Sequence, residues 1–204
     1  DANKERGMLG EKKDASVYFN RVVQGVYEMG STFKIFSVAQ GLEDGLFNLD
    51  TLIDTRPFML NSRKIEDKYK FNSKSSIYEI IVRSSNVGSA RLALMIGEKG
   101  LKEIYSTLGL LEPVGLELRE ATLTKPIVPK DWRDITLATV SYGYGISVSL
   151  LHLAKAYAIL GNGGFSVEPT ILKKNQDVSM SPRVLNKRTS DEILKLLEAV
   201  VTDQ

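Results

Sequence analysis

The sequence contains no cysteine and only one histidine among its 204 residues. Those absences exclude disulfide bonds, cysteine nucleophiles and nearly every zinc or haem site. Catalysis must therefore use Ser, Thr, Lys, Asp, Glu or Tyr side chains, and we expect neither a metal nor an organic cofactor. Long apolar runs are also lacking, because even residues 150–160 are interrupted by His152 and Lys155, and a membrane span needs about 20 such residues.

An excess of charge of one sign is missing as well. The chain has 27 Lys and Arg against 25 Asp and Glu, a formal net charge of +2. This charge is too small to attract nucleic acid, so no nucleic-acid partner is expected. With 43% hydrophobic and 25% charged residues, the composition is that of a globular domain that buries a core.

The N-terminal residues are too polar to form a signal peptide. The first 14 read DANKERGMLGEKKD, whereas a signal peptide needs an apolar stretch of 7–15 residues or so. We expect residues 1–20 to be a loose N-terminal segment and any export signal to lie outside this sequence.

Helical periodicity dominates the rest of the chain, and strand signals are few. Ser76 and Glu79 form a capping box at the start of a short helix, and we interpret Thr189–Glu192 as a second one. Residues 51–72 predict a hairpin or structured loop, 110–131 a long irregular connection, and Phe165–Leu172 a strand. Helices are predicted at 31–42, 76–83, 87–97, 101–108, 134–140 and 149–160, and from Thr189 toward the end of the sequence.

Ser31 and Lys34 form the only S-x-x-K in the chain. Residues three apart share one face of a helix, so the amine can act as a base toward the hydroxyl if burial lowers its pKa from about 10.4 toward neutrality. About one such match is expected by chance in a chain of this length. Taken alone, the motif is therefore better explained by a serine cap followed by a solvated lysine.

A second polar motif lies at a predicted break between two helices. Ser84, Ser85 and Asn86 contain the only S-x-N in the chain. A serine hydroxyl there can relay a proton to a leaving amine, while the asparagine amide can hold a substrate carbonyl or the lysine. The alternative is a plain helix N-cap, because Ser and Asn are both preferred at that position.

The flanking residues make the sequence recognisable. Four segments occur in order: 28–34 (EMGSTFK), 84–88 (SSNVG), 132–134 (WRD) and 141–145 (SYGYG). Together they resemble the class B penicillin-binding proteins, most closely the FtsI-like septal transpeptidases, from about residue 20 to the end. The S-x-G-x-G and Trp-x-Asp segments favour this family over the serine β-lactamases and penicillin sensors that share S-x-x-K.

The resemblance implies a role for each polar residue. Ser31 is the expected nucleophile, Lys34 its general base, Ser84 a proton relay and Asn86 the residue that positions the donor peptide. Ser85, Tyr142, Gly143 and Tyr144 are expected in substrate binding, and the alternative for the two tyrosines and their glycines is a tight turn. The implied donor is a peptidoglycan stem peptide ending in D-Ala-D-Ala, which β-lactams imitate.

The resemblance also implies partners, a location and a fold. A SEDS-type glycan polymerase and other division proteins are the expected partners, and the parent protein is expected to be anchored in the inner (cytoplasmic) membrane with this domain on the periplasmic side. The implied fold is the helical part of the serine β-lactamase-like α+β transpeptidase fold, mainly α with short β hairpins. Most of its central sheet has no counterpart in residues 1–204, which we interpret as a partial transpeptidase domain.

Two features depart from the family pattern. Met29 stands where the family usually has proline, which alters loop stiffness and removes no catalytic group. The family's third motif, Lys-Thr/Ser-Gly, occurs nowhere in the 204 residues. In the family its lysine helps to bind the substrate carboxylate and its strand supplies one oxyanion-hole amide, worth about 10² to 10³ in rate. We therefore expect this chain alone to be weakly active or inactive, and its unpartnered apolar surface to favour self-association.

Two other functions are compatible with these residues. The chain could be a non-catalytic binding or scaffold module of the division assembly, or a serine β-lactamase or penicillin-sensor domain. His152 lies between two leucines and is better explained as a packed side chain than as a ligand. Residues 56–74 carry six Lys or Arg against two acids with aromatics interleaved, which fits a solvated loop better than an anion-binding surface.

Overall fold

A computed structural model describes residues 19–173 and 181–203. Helices dominate this part of the chain, as the periodicity predicts. A 3₁₀ turn at Gly30–Phe33 leads directly into the first helix. The helices are α1 (Lys34–Glu43), α2 (Ile77–Val82), α3 (Asn86–Thr107), α4 (Arg119–Leu123), α5 (Asp134–Ser141), α6 (Leu150–Gly161) and α7 (Lys187–Thr202).

The described strands form three separate antiparallel pairs and no larger sheet. β1 (Val26–Tyr27) pairs with β6 (Val148–Ser149), β2 (Leu52–Asp54) with β5 (Lys74–Ser76), and β3 (Phe58–Leu60) with β4 (Arg63–Ile65). The third pair is the hairpin predicted within residues 51–72. Its two turn residues, Asn61 and Ser62, both have positive φ, as tight two-residue hairpin turns require.

Helix α1 lies at the centre of the molecule. Every residue from Lys34 to Gly41 is buried, so the helix is covered on all sides rather than on the single face that its apolar spacing predicts. Its main neighbours are α3, α7 and the turn before it. Phe33 and Phe36 meet Tyr105 of α3 edge-to-face, with ring centroids 5.8 and 6.3 Å apart, a geometry that adds to the apolar burial. The N-terminal end of α1 is thus held in a rigid core.

A smaller apolar cluster supports the β3–β4 hairpin. Ile65 at the end of β4 is buried against Val87 and Ala90 of α3 and Ala138 of α5. Tyr142, just after α5, packs on the same cluster. This contact fixes the segment that follows Ile65 close to the start of α3.

Several local predictions are confirmed. The Ser76–Glu79 capping box is present in both directions, and α1 ends before Gly45, which has φ 66°. The two helices predicted around Gly97 are joined across a kink, because Gly97 has φ 75° and ψ 178°. Ser149 caps α6, with His152 completing the capping box.

Three local predictions are wrong. Phe165–Leu172 is not a strand, because Phe165 makes only an isolated bridge to Arg183. The connection at 110–131 contains the short helix α4. Thr189 does not cap the last helix, which begins two residues earlier, because Glu43 accepts hydrogen bonds from Asn186 and from the Thr189 hydroxyl. Residues 1–18, most of the predicted loose N-terminal segment, lie outside the described residues.

Candidate active site

Ser31 lies in the 3₁₀ turn that leads into the N-terminal end of α1. The turn starts at Gly30, which has φ 55°, a left-handed conformation that glycine adopts without strain. Ser31 is exposed while Phe33, two residues later, is completely buried. The buried aromatic residue anchors the turn and leaves the serine hydroxyl accessible.

Lys34 is buried although it carries an ionisable amine, with only 3% of its surface exposed. Desolvation lowers its pKa to about 8, against a weaker opposing effect of the Asp67 carboxylate. Burial penalises the charged ammonium form, which explains the direction of this shift. With such a pKa, roughly a tenth of the amine is neutral at pH 7, about two hundredfold more than for a solvated lysine.

Ser84 connects α2 to α3 in a strained conformation. Its φ is 59°, a left-handed value that is unfavourable for a residue with a Cβ atom. Ser84 N donates to Ile81 O and Ser85 N donates to Ile80 O, which is the Schellman arrangement that ends many helices with glycine at this position. Serine in a glycine position is the kind of local strain found at functional sites.

A hydrogen-bond chain joins these three side chains. Lys34 Nζ donates to the Ser84 carbonyl at 2.7 Å and to Ser84 Oγ at 2.8 Å. Ser84 Oγ in turn donates to Ser31 Oγ at 3.1 Å. Among the described residues the amine bonds to Ser84 and not directly to Ser31, although the three-residue spacing predicts the direct contact. Ser84 therefore lies between the amine and the exposed hydroxyl.

Asn86 and Ser85 differ in their access to the cleft. Asn86 is half-buried and lines it, and no hydrogen bond of its side-chain amide is found within the described part of the chain. Ser85 is completely buried, and its hydroxyl serves Gly88 N and the Asp67 carboxylate. The geometry thus presents Asn86 to a ligand and commits Ser85 to internal contacts.

The Tyr142–Gly145 loop, which follows α5, contacts the segment that leads into the Ser31 turn. Gly143 O accepts from Gly30 N at 3.3 Å, and Glu28 Oε1 accepts from Gly145 N at 2.7 Å. A side chain at Gly143, which has φ 81°, would overlap the backbone of Gly30. Tyr144 is 54% exposed and Tyr142 is half-buried, but neither lines the cavity beside Ser31.

The cleft itself is a cavity of about 220 Å³. Its described lining includes one carboxylate, three cations and two aromatic rings: Ser31, Lys34, Asp67, Lys68, Tyr69, Phe71, Arg83, Ser84 and Asn86. A larger cavity of about 380 Å³ lies along residues 55–57 and 66–73. It shares several residues with the cleft but contains neither Ser31 nor Lys34, so the smaller cavity is the one suited to chemistry.

Sequence reasoning missed the contribution of residues 67–71 to this cleft. The excess of basic residues led us to expect a solvated loop, whereas the structure places Asp67, Lys68, Tyr69 and Phe71 along its wall. Arg83 lies over the Phe71 ring at 4.4 Å and donates to Lys70 O. The aromatic residues interleaved with the cations were the available signal.

His152, the one histidine of the sequence, is buried away from the cleft. His152 is 1% exposed, bonds to Ser149 and to Glu112 O, and has its pKa lowered mainly by burial. It is therefore a packed side chain, as its position between leucines predicts. No cluster of three potential metal ligands is found among residues 19–173 and 181–203. No helix in the same part of the chain is long and apolar enough to cross a membrane.

The sequence matches the family model of the penicillin-binding protein transpeptidase domain over residues 1–204. This chain belongs to that family. Among curated relatives, it is 38% identical over 203 residues to the probable peptidoglycan D,D-transpeptidase FtsI of Caulobacter vibrioides, and 31% identical over 181 residues to FtsI of Escherichia coli K12. These alignments cover 98% and 89% of the chain but only 33% and 30% of the relatives.

Solved structures of the family share the fold. The transpeptidase domain of Burkholderia pseudomallei penicillin-binding protein 3 superimposes with a TM-score of 0.83 at 33% identity, covering 91% of this chain and 56% of that one. A peptidoglycan glycosyltransferase from Burkholderia ambifaria gives the same TM-score at 32% identity, with coverage of 90% and 59%. The mainly helical arrangement with small strand pairs is thus part of the α+β transpeptidase fold, as expected.

Proposed function

We propose that the protein carrying this transpeptidase domain cross-links peptidoglycan stem peptides through an acyl-enzyme on Ser31. The observation that carries the proposal is the hydrogen-bond chain from Lys34 through Ser84 to Ser31 in an open cleft. A lysine with a pKa near 8 can accept a proton at neutral pH, and the chain provides the path. The names of the curated relatives, peptidoglycan D,D-transpeptidases, agree with this chemistry.

The proposed reaction has two steps, acylation of Ser31 and transfer of the acyl group to an amine. Ser31 Oγ attacks the carbonyl carbon of the D-Ala-D-Ala amide while its proton passes by way of Ser84 to Lys34. The amide bond breaks, the proton goes to the leaving nitrogen, and D-Ala departs, which leaves the rest of the donor peptide as an ester on Ser31. An amine of a second stem peptide then attacks that ester, forms the new amide and returns a proton to Ser31. Asn86 holds the donor backbone through its free amide group.

We infer that an amine, rather than water, resolves the acyl-enzyme in this cleft. Among the described residues that line it, Asp67 is the only carboxylate. Both Asp67 oxygens already accept hydrogen bonds from Ser85, Asn86 and Val87. No carboxylate free to act as a general base toward water is thus found among these lining residues, which supports the transpeptidase over a β-lactamase that deacylates through such a carboxylate.

The family relationship also supports proposals about the whole protein. We propose that the domain lies on the periplasmic side of the inner membrane, that β-lactams inhibit it, and that a SEDS-type glycan polymerase and other division proteins are its partners; membership of the family supports each of these proposals. A non-catalytic scaffold role is the competing proposal, but the spacing of Ser31, Ser84 and Lys34 serves no evident purpose in a scaffold.

Release of D-Ala tests the proposed reaction. The full-length protein is incubated with a stem peptide ending in D-Ala-D-Ala and an amine acceptor, and free D-Ala and the cross-linked product are quantified. Ser31→Ala should abolish both, whereas Ser106→Ala, an exposed serine of α3, should leave both unchanged. Product formation that survives Ser31→Ala would contradict the proposal, and failure of the unaltered protein to release D-Ala would favour the scaffold reading.

A further inference from the structure

A second cavity adjoins the cleft beside Ser31, and we call it the side cavity. Its volume is about 380 Å³, against about 220 Å³ for the cleft. It lies between residues 55–57 and the irregular segment 66–73. Four residues of that segment line both cavities: Asp67, Lys68, Tyr69 and Phe71. An extended ligand in the cleft therefore has room to continue into the side cavity.

Hydrogen bonds hold the segment that lines the side cavity. Thr55 N donates to Ser73 O at 3.1 Å, and the hydroxyl of the buried Thr55 donates to Asn72 O at 2.6 Å. Nearer the cleft, Arg83 Nη2 donates to Lys70 O at 2.9 Å. The side cavity is thus formed without a ligand, which limits the conformational entropy that a ligand must lose on binding.

Three of the charged side chains that line the side cavity are already engaged within the chain. Arg56 is bound by both carboxylate oxygens of Asp54. Glu66 pairs with Lys64. Asp67 keeps its charge, but hydrogen bonds from residues 85–87 occupy both of its oxygens. These groups are therefore poorly placed to bind a further ligand.

Two lysines of the side cavity remain available. Lys68 and Lys70 are exposed, and no ion pair of either is found among the residues that the structure describes. Lys68 Nζ lies 5.3 Å from the centre of the Tyr69 ring, which is itself 64% exposed. None of the backbone hydrogen bonds found in the described part of the chain is donated by residues 68–71. Ammonium and N–H donors beside an aromatic face suit a carboxylate on a peptide chain.

We propose that the side cavity is a subsite for a carboxylate-bearing segment of the peptide substrate, held by Lys68 and Lys70 while the reacting end lies beside Ser31. The proposal rests on the proposed transpeptidase function and adds the chemistry of the substrate away from the reacting bond. The basic residues of 56–74, which the sequence alone assigns to a solvated loop, then bind an anionic group of the substrate.

Contacts of this kind affect binding more than chemistry. A carboxylate held away from the reacting bond is bound equally in the ground state and in the transition state. Loss of the two lysines should therefore raise KM and leave kcat nearly unchanged. Because exposed ion pairs are weak and screened by salt, the effect should be modest and should shrink as ionic strength rises.

The test compares two lysine pairs in the full-length protein. One variant carries Lys68→Gln with Lys70→Gln, and its matched control carries Lys125→Gln with Lys130→Gln. The control lysines are exposed, belong to another irregular segment and line neither cavity. Both variants lose the same two charges, so a general effect of net charge appears in both.

Two donor peptides ending in D-Ala-D-Ala separate charge from shape. One has a free side-chain carboxylate several residues before its end, and in the other that carboxylate is amidated. For the acidic donor we expect Lys68→Gln with Lys70→Gln to raise KM by about three- to tenfold, and by less at about 0.5 M salt. The amidated donor should show no such rise, and the control pair should match the unaltered protein. The same comparison with the carboxylate on the amine acceptor shows which of the two peptides occupies the side cavity.

A second readout does not depend on turnover. The fluorescently labelled acidic peptide is titrated with full-length Ser31→Ala, and loss of both lysines should weaken its binding by a similar factor. The proposal would be overturned if the acidic and amidated peptides bound the unaltered cavity equally, or if KM rose equally for both. If the unaltered protein releases no D-Ala, the proposed function fails, and the titration alone then decides whether the side cavity binds a peptide carboxylate.

Discussion

At the residue scale, the site depends on one buried amine and one strained serine. Lys34 is kept from solvent by the core around α1, and its pKa is lowered to about 8 by that burial. Ser84 is held in a left-handed conformation by the short connection between α2 and α3. Each is unfavourable for stability, and the two side chains are hydrogen-bonded to each other.

The lysine makes the acylation rate depend on pH. Below pH 8 the amine is mostly protonated and cannot accept the serine proton, so the rate should rise about tenfold per pH unit and level off above pH 8. Stopped-flow acylation of the full-length protein by a chromogenic cephalosporin measures this profile. Lys34→Arg should abolish the rise, because a guanidinium stays charged, whereas Lys102→Arg on the exposed face of α3 should reproduce the original profile. A flat profile in the unaltered protein would contradict the assignment of Lys34 as base.

Two substitutions of Ser84 separate the role of its hydroxyl in acylation from the effect of its strained backbone on stability. Ser84→Gly removes the hydroxyl and also relieves the left-handed backbone, while Ser84→Ala removes the hydroxyl and keeps the strain. Acylation should fall by about 10² or more in both. The free energy of unfolding of the glycine variant should exceed that of the alanine variant by about 1 kcal/mol, as measured by urea denaturation. Equal stability of the two would show that the strain at Ser84 is negligible.

At the element scale, the loop after α5 determines where the turn before α1 lies. Gly143 and Gly30 are in backbone contact, and Glu28 binds the amide of Gly145. Ser31 is thus held between its own helix and a second loop that does not line the cleft. This arrangement gives Tyr142–Gly145 a supporting role beside the substrate-binding role that the family resemblance implies.

Gly143→Ala tests that support against a matched glycine. Gly143 and Gly163 have similar φ values of 81° and 86°, but a Cβ atom at Gly163 meets nothing closer than 3.8 Å. Gly163→Ala should lose about 1–2 kcal/mol of stability from backbone strain, and Gly143→Ala should lose more, because its Cβ atom also overlaps the Gly30 backbone. Only Gly143→Ala should also reduce penicillin acylation, by about tenfold or more. Similar acylation by the two variants would show that the Gly30 contact does not position Ser31.

The sequence predicts some of these helix ends and site residues but not others. Local signals succeed where a helix end is decided by adjacent residues, as at Ser76 and Gly97. They fail where a side chain from a distant part of the sequence determines the helix end. Glu43 accepts a hydrogen bond from Asn186 N, immediately before α7 begins at Lys187. The Thr189 hydroxyl donates to Glu43 and does not cap the helix. The sequence did not predict Asp67 in the cleft for the same reason. Its hydrogen-bond partners lie nearly 20 residues later in the sequence, and the packing of Ile65 brings them close to it.

At the scale of the whole molecule, large apolar side chains remain exposed beside the β1–β6 pair. This pair is extended by hydrogen bonds between Val22 and Leu151 and between Ile127 and Ser147. The exposed apolar residues along it are Phe19, Val22, Tyr27, Ile127, Val128 and Leu150. Exposed apolar side chains that lie along one strand pair favour association, and we call these six residues the β1–β6 patch.

We expect the 204-residue chain to self-associate through this patch. Light scattering should give a mass above that of the monomer, and a hydrophobic dye should bind. Val22→Glu with Tyr27→Glu should lower both signals, while Leu46→Glu, at another exposed apolar position, should not. A monomer that binds no dye would contradict this expectation.

The central claim is that Ser31 is the acylated residue and that the cleft beside it needs a Lys-Thr/Ser-Gly motif for full activity. Fluorescent-penicillin labelling tests it most directly, with the 204-residue chain and a longer chain that includes this motif compared side by side and the labelled peptide identified by mass spectrometry. The account predicts slow or undetectable labelling of the short chain, labelling of the long chain at Ser31 that is faster by several powers of ten, and none in Ser31→Ala. Equal labelling of the two lengths, or labelling that survives Ser31→Ala, would contradict it.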